Sequence, residues 1–332
     1  MKRLLFLCYA LGLLLLTSCG KDDTKLEQDL HLRHKGADMP IWVRGNLASR
    51  KIVLFLHGGP GDCAMCYRYY LKDLEDHVAV AYWDQRVAGS SSGKVDPATL
   101  TYEQFGEDAY YVVKLLRQKY PQAEVYLLAH SYGVELAWEF LTHKPEHQQL
   151  VKGLMAVNGV YSNYRWLVQM REWVLREARQ QGNTAAESFA LANPVTPQTL
   201  MTLDWQQYYR YMLDLDGNPV SLYDNKKFLL QYLFASPNTA LGQFSHGNAY
   251  SGFDKTQLLQ YDRSAQLPTV RIPVALFWGR KDGVVPIEIA HETQALLTNA
   301  PSKDLVTFDN SWHEPFVAEQ AKFVREVLRF VQ

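Results

Sequence analysis

The sequence predicts an α/β protein: a mostly parallel central sheet, helices on both of its faces, and a helical cap inserted in the second half of the chain. Three observations predict it. Short apolar runs that read as buried strands alternate with longer stretches whose apolar residues recur at helical spacing, from Lys51 to Val157 and again from Val270 to Val331. The alternation stops after Gly159 and resumes past Leu267, with aromatic-rich helical segments and no convincing strand between. The 332 residues, 47% hydrophobic and 21% charged, suffice for one large core plus an insertion.

The elements follow in order. Lys2 and Arg3 precede an apolar run from Leu4 to Leu16, then Thr17-Ser18-Cys19-Gly20. The run falls short of the roughly 20 apolar residues that span a bilayer, so it reads as a secretory signal. LTSC resembles the lipobox of bacterial lipoproteins, which implies that Cys19 becomes the lipid-modified first residue of the mature chain. Residues 1–18 are then a signal peptide and residues 19–27 a tether. The expected location is the bacterial cell envelope, periplasmic or surface-exposed, with the membrane as partner through the N-terminal lipid.

The core's first part spans 28–159. Alternation around Gly36, from Asp29 to Arg44, predicts an edge hairpin. Strands are expected at Lys51–Leu56, Val78–Trp83, Glu124–Ala129 and Val151–Val157. Helices are expected at Tyr67–Asp76, at Tyr102–Tyr120 (stopped by Pro121) and at Tyr132–Thr142. The cap spans 160–267, and Trp166, Met170, Trp173 and Glu177 share one helical face there. The core's second part spans 268–332. It holds strands at Val270–Trp278 and Leu305–Phe308 and helices at Ile287–Leu297 and Phe316–Val331.

Chemistry concentrates where strands end. In Leu127-Leu128-Ala129-His130-Ser131-Tyr132-Gly133 a strand gives way at once to a helix, with a serine at the turn and small residues two before and two after it. That is the setting of a nucleophile elbow, which exposes a serine oxygen at a helix N-terminus; Ala129 stands where the motif usually has Gly. A hydroxyl needs a base, and in this architecture the order is serine, acid, histidine. Asp282 follows the strand ending Phe277-Trp278-Gly279, and His313 follows the last strand. All three fall at the carboxyl edge of the sheet, where open-sheet sites form. Asp304 and Asp309 are the rival acids. His130, beside the serine but on the opposite strand face, reads as a packed residue, and His57, His246 and His291 as structural or exposed. Residues 57–61, HGGPG, follow a buried strand with backbone that can lie bare against a substrate. Gly59 and Tyr132 are therefore the expected main-chain donors of an oxyanion hole.

HGGPG at 57–61, WDQRVAGSS at 83–91, AHSYG at 129–133, GRKDGVVP at 279–286 and the late His313 resemble the α/β-hydrolase superfamily, and more narrowly its prolyl aminopeptidase (proline iminopeptidase) branch. The family's DQRGxGxS is matched at Asp84, Gln85, Arg86, Gly89 and Ser91, while Val87 replaces a Gly; Asp84 and Arg86 read as a structural ion pair. The resemblance implies release of an N-terminal residue, often proline, from short peptides. Such an enzyme must hold a free ammonium with carboxylates, and the family takes these from the cap. The cap here offers Glu172, Glu177, Glu187, Asp204, Asp214 and Asp216, with Trp166, Trp173, Trp205, Tyr208, Tyr209 and Tyr232 either lining a pocket or packing the cap. No individual substrate-binding residue is assigned. An esterase or amidase on small neutral acyl substrates uses the same three groups, and a non-catalytic binding lipoprotein on a hydrolase fold is the third reading.

The formal net charge of −1 invites no nucleic acid. The Ser-His-Asp chemistry calls for no metal and no organic cofactor. Cys63 and Cys66, as CAMC, read as free thiols or a local disulfide; no second pair completes a zinc site.

Overall fold

The computed structural model describes residues 25–220, Lys226 and 255–332. The signal segment, Cys19, Tyr232 and His246 lie outside the described residues.

Strands β1 (Lys25–His34) and β2 (Ala37–Asn46) form an antiparallel hairpin turning at Lys35-Gly36. β3 (Lys51–Leu56), β4 (Ala79–Trp83), the two-residue β5 (Ser92–Gly93), β6 (Glu124–His130), β7 (Leu154–Val157), β8 (Val274–Gly279) and β9 (Lys303–Phe308) complete the sheet. Its order is β1-β2-β4-β3-β6-β7-β8-β9, with β5 on β2, and every pairing from β4 to β9 is parallel. Side chains alternate across the sheet, so β3 sends Ile52, Leu54 and Leu56 into one apolar cluster and Val53 and Phe55 into another. Burial on both faces is why these strands read as unbroken apolar runs.

Helices α1 (Ala64–Leu71), α2 (Tyr102–Lys119) and α3 (Tyr132–His143) lie between the early strands. Thr101 caps α2, accepting the Gln104 N–H at 3.1 Å. The cap holds α4 (Asn163–Gln181), α5 (Thr184–Ala192), α6 (Trp205–Asp214) and α7 (Lys255–Gln260). Its two ends meet: Ser162 bridges Asp262, and Arg263 N–H donates to Tyr161 C=O at 2.8 Å. An insertion whose ends meet leaves the sheet undisturbed. The cap is pinned to the loop after β8 by Trp166 Nε1–H, which donates to Val284 C=O at 2.6 Å. α8 (Glu288–Leu296), α9 (Pro315–Ala318) and α10 (Gln320–Val331) follow.

Some boundaries differ from the sequence expectation. β1 starts at Lys25, so the last three residues of the 19–27 tether are strand; as an edge strand with alternating exposed side chains it carries the polar residues of a linker. β8 starts at Val274, because Leu267–Thr269 form a 3-10 turn and Pro273 follows. The last helix is split after Ala318.

Candidate active site

β6 runs straight into α3 through Ser131, whose backbone sits at φ 54°, ψ −123°. A non-glycine residue takes a positive φ only under constraint. The constraint is close packing of α3 on β3: a methyl added at Gly133 would stand 2.2 Å from the Leu56 carbonyl oxygen. Fully buried Ala129 lies in register with Leu56 and Ala156.

The three distant residues meet. His313 Nε2 lies 3.0 Å from Ser131 Oγ, and His313 Nδ1 lies 2.9 Å from Asp282 Oδ2. A carboxylate can only accept, so Nδ1 carries the proton and Nε2 is left to accept from Ser131. Asp282 is 2% exposed and is held by the Val284 and Val285 N–H groups on Oδ1 and by Asn158 Nδ2 on Oδ2. Burial disfavours the His313 imidazolium, but the charge and hydrogen bond of Asp282 outweigh it and raise the pKa above the ordinary value. The rival acids are elsewhere: Asp309 pairs with Arg280, and Asp304 is exposed.

Asn158 is a residue the sequence reading missed. It follows β7 directly, at φ 43°, and also donates to Trp312 C=O while accepting Gly279 N–H. Its signal was an Asn-Gly pair at a strand end, where Asn tolerates the left-handed region.

Gly59 and Tyr132 line one cavity with Ser131. Gly59 sits at φ +114°, while Gly58 makes the closest approach: a methyl there would lie 3.3 Å from the Cβ of Ser131. His57 is fully buried and ties this loop to the next. Its Nδ1 donates to Gly58 C=O and its Nε2 accepts Gln85 N–H at 3.2 Å. His130 is buried, with Nε2 bonded to His313 C=O, and His291 is exposed. The expected Asp84–Arg86 pair does not form. Arg86 pairs with Asp108 at 2.7 and 2.8 Å, both fully buried, whereas Asp84 accepts the Ala64 and Ser90 N–H groups. The pair is absent because Asp84 is committed to the first turn of α1 and to a loop closed over Gly89. Val87, at φ 52°, shows why a Gly suits that position. Cys63 and Cys66 are joined as a disulfide at the start of α1, their Cα atoms 5.6 Å apart.

The cavity measures about 560 Å³. Trp166, Trp205 and Tyr209 of the cap line it, while Trp173 packs its ring against Gly283 of the core and Tyr208 is buried. None of the six cap carboxylates lines it: Glu172, Glu177 and Glu187 pair with Arg171, Arg176 and Arg179, and Asp204 caps α6. Among the described residues, the carboxylates on its wall come from the core: Asp62, Glu135 and Glu314. Glu135 accepts from Tyr102 Oη and, at 3.4 Å, from Asn163; burial pushes its carboxyl up to about 8. Burial likewise pushes Glu314 up to about 7. Helix geometry could have found Glu135, which lies one turn beyond Ser131.

A model of the alpha/beta hydrolase fold matches residues 51–320. The chain is 25% identical over 299 residues to "Probable aminopeptidase YbaC" of Bacillus subtilis, covering 87% of this chain and 91% of that protein. It is 24% identical over 291 residues to the proline iminopeptidase of Heyndrickxia coagulans, covering 84% and 90%. Among solved structures, VinJ superposes with a TM-score of 0.64 at 19% identity, over 91% of this chain and 97% of that one. With sheet order, elbow and family model in agreement, this chain belongs to the α/β-hydrolase fold family, with proline iminopeptidase-like homologues.

Proposed function

We propose that this protein is a serine hydrolase working through an acyl-enzyme, and that it is an aminopeptidase releasing N-terminal residues, proline-type, from short peptides. The observation that carries the hydrolase reading is the 3.0 Å and 2.9 Å chain from Ser131 through His313 to Asp282, opening into a capped cavity. The aminopeptidase reading draws on the similarity, over most of the chain, to proteins named as aminopeptidase and proline iminopeptidase.

In this reading His313 Nε2 takes the Ser131 proton as Oγ attacks the scissile carbonyl. The Gly59 and Tyr132 N–H groups receive the oxyanion. The C–N bond breaks as His313 returns the proton to the leaving amine. A water deprotonated by His313 then cleaves the Ser131 ester and restores the hydroxyl. Asp282 holds the imidazole tautomer and stabilises the imidazolium. A cavity of about 560 Å³ under Trp166, Trp205 and Tyr209 suits a small, partly apolar ligand such as a proline ring and the residue after it.

The test is a panel of Pro-, Ala- and Phe-4-nitroanilides with their N-acetylated forms. The free-amine substrates should be strongly preferred; equal cleavage of blocked forms rules out amine recognition and leaves an esterase or amidase. Ser131→Ala should lower turnover by about four orders of magnitude or more. Activity near wild type would remove Ser131 from the mechanism, and failure of a fluorophosphonate to label Ser131 would favour the non-catalytic binding protein.

The proposed location is the bacterial cell envelope, by a lipid on Cys19; this rests on residues 1–20. Cys19→Ala should move the protein from the membrane to the soluble fraction, and an unchanged distribution would overturn the anchor.

A further inference from the structure

Glu314 follows His313 directly and lines the same cavity, with 7% of its surface exposed. Among the described residues its carboxylate receives one hydrogen bond, a long one of 3.3 Å from Asn218 Nδ2, and forms no ion pair. Burial disfavours its charged form, as do the like charges of Asp282 and Asp62, and the neighbouring His313 only partly offsets them. The other buried carboxylates are better served. Asp108 has Arg86, Glu75 has Arg68, Glu139 has Arg263, and Asp282 has two backbone N–H groups, Asn158 and His313. Glu135 has both Tyr102 Oη and Asn163. An unpaired buried carboxylate is costly unless a cation arrives to meet it.

The cavity supplies a route for one. In an aminopeptidase substrate the α-ammonium is two bonds from the scissile carbonyl carbon, so once that carbon is at Ser131 Oγ the ammonium lies inside this cavity, whose wall carries Asp62, Glu135 and Glu314. An ammonium offers three N–H donors to a carboxylate that lacks them. We propose that Glu314 is the specificity-determining residue that receives the substrate's free α-ammonium, which puts amine recognition on the hydrolase core beside the histidine. This rests on the aminopeptidase reading and deepens it.

The test compares kcat/KM for alanine 4-nitroanilide with that for its N-acetylated form, in wild type, Glu314→Gln, Glu314→Asp and Glu135→Gln. Wild type should strongly prefer the free amine. Glu314→Gln should reduce that preference on the order of 100-fold, mainly through KM, and Glu314→Asp should retain an intermediate preference because it keeps the charge. Glu135→Gln should keep the larger part of the preference. Circular dichroism shows whether the near-isosteric Gln variant is folded, and the Asp variant carries the comparison if it is not. A wild-type preference near one overturns the aminopeptidase reading and this inference together. A strong wild-type preference that survives in the Glu314 variants, or that is lost in Glu135→Gln instead, overturns this inference alone.

Discussion

Asp282 shows how much one side chain decides at the residue scale. Its Oδ1 is taken by two backbone N–H groups, so only Oδ2 faces His313, and it can only accept. In Asp282→Asn the amide can turn a donor toward Nδ1, which moves the imidazole proton to Nε2, facing Ser131, where no proton can then be accepted. kcat on the best anilide should fall about 10,000-fold. The pH profile should change with it. Activity needs neutral His313, and Asp282 overcomes burial to hold its pKa above the ordinary 6.5. The rate of wild type should therefore rise with pH through a value above 6.5. Without the carboxylate, burial is opposed only by the charge of Glu314, so the residual activity of Asp282→Asn should rise at a lower pH. An acid limb that does not move would show that it reports another group.

At the scale of elements, the site is held by loops stapled to one another rather than by any single helix. His57 joins the HGGPG loop to Gln85, Asp84 joins the 83–91 loop to the start of α1, and Arg86 joins it to Asp108 on α2. The Arg86–Asp108 pair has no exposure to water, so removing one partner strands the other charge. Asp108→Ala should cost about 3–5 kcal/mol of stability, measured by urea unfolding, and should loosen the 83–91 loop. A loss under 1 kcal/mol would mean that water reaches Arg86 once the carboxylate is gone. These staples mark where the sequence stops being legible. Alternation and turn residues suffice for the strands and the elbow at Ser131, because each is a local pattern, and Asp282 and His313 are legible as polar residues just past strand ends once the architecture sets the order serine, acid, histidine. Which acid Arg86 meets is not local: Asp84 is two residues away, but it is spent on backbone donors, and Asp108 arrives only when α2 packs. Asn158 is similar, since its role exists only where β7, β8 and the loop before His313 come together.

Across the described molecule, Glu172, Glu177 and Glu187 pair with arginines of the cap away from the cavity, while Asp62, Glu135 and Glu314 stand on its wall, and this inner set links function to stability. Glu135 was legible as a neighbour of Ser131 on one helix face, but its burial depends on Tyr102, Asn163 and Tyr261 closing over it from α2 and the cap. That burial raises its carboxyl from 4.5 to about 8. In the unfolded chain the group loses its proton near pH 4.5, while in the folded chain it keeps it to about 8. Between those values the folded state binds more protons than the unfolded state, so this group's contribution to stability declines as pH rises. The contribution is present in full below the unfolded value and gone above the folded one. The total is on the order of 5 kcal/mol. Glu135→Gln accepts the same hydrogen bonds without ionising. Its melting temperature relative to wild type should therefore climb steadily from pH 5 to pH 8 and level off beyond. Thermal unfolding at pH 5, 6.5, 8 and 9 reads this directly. A difference that stays constant across the series would mean that Glu135 is ionised in the folded protein throughout, with a cation or water in the cavity supplying what burial takes away.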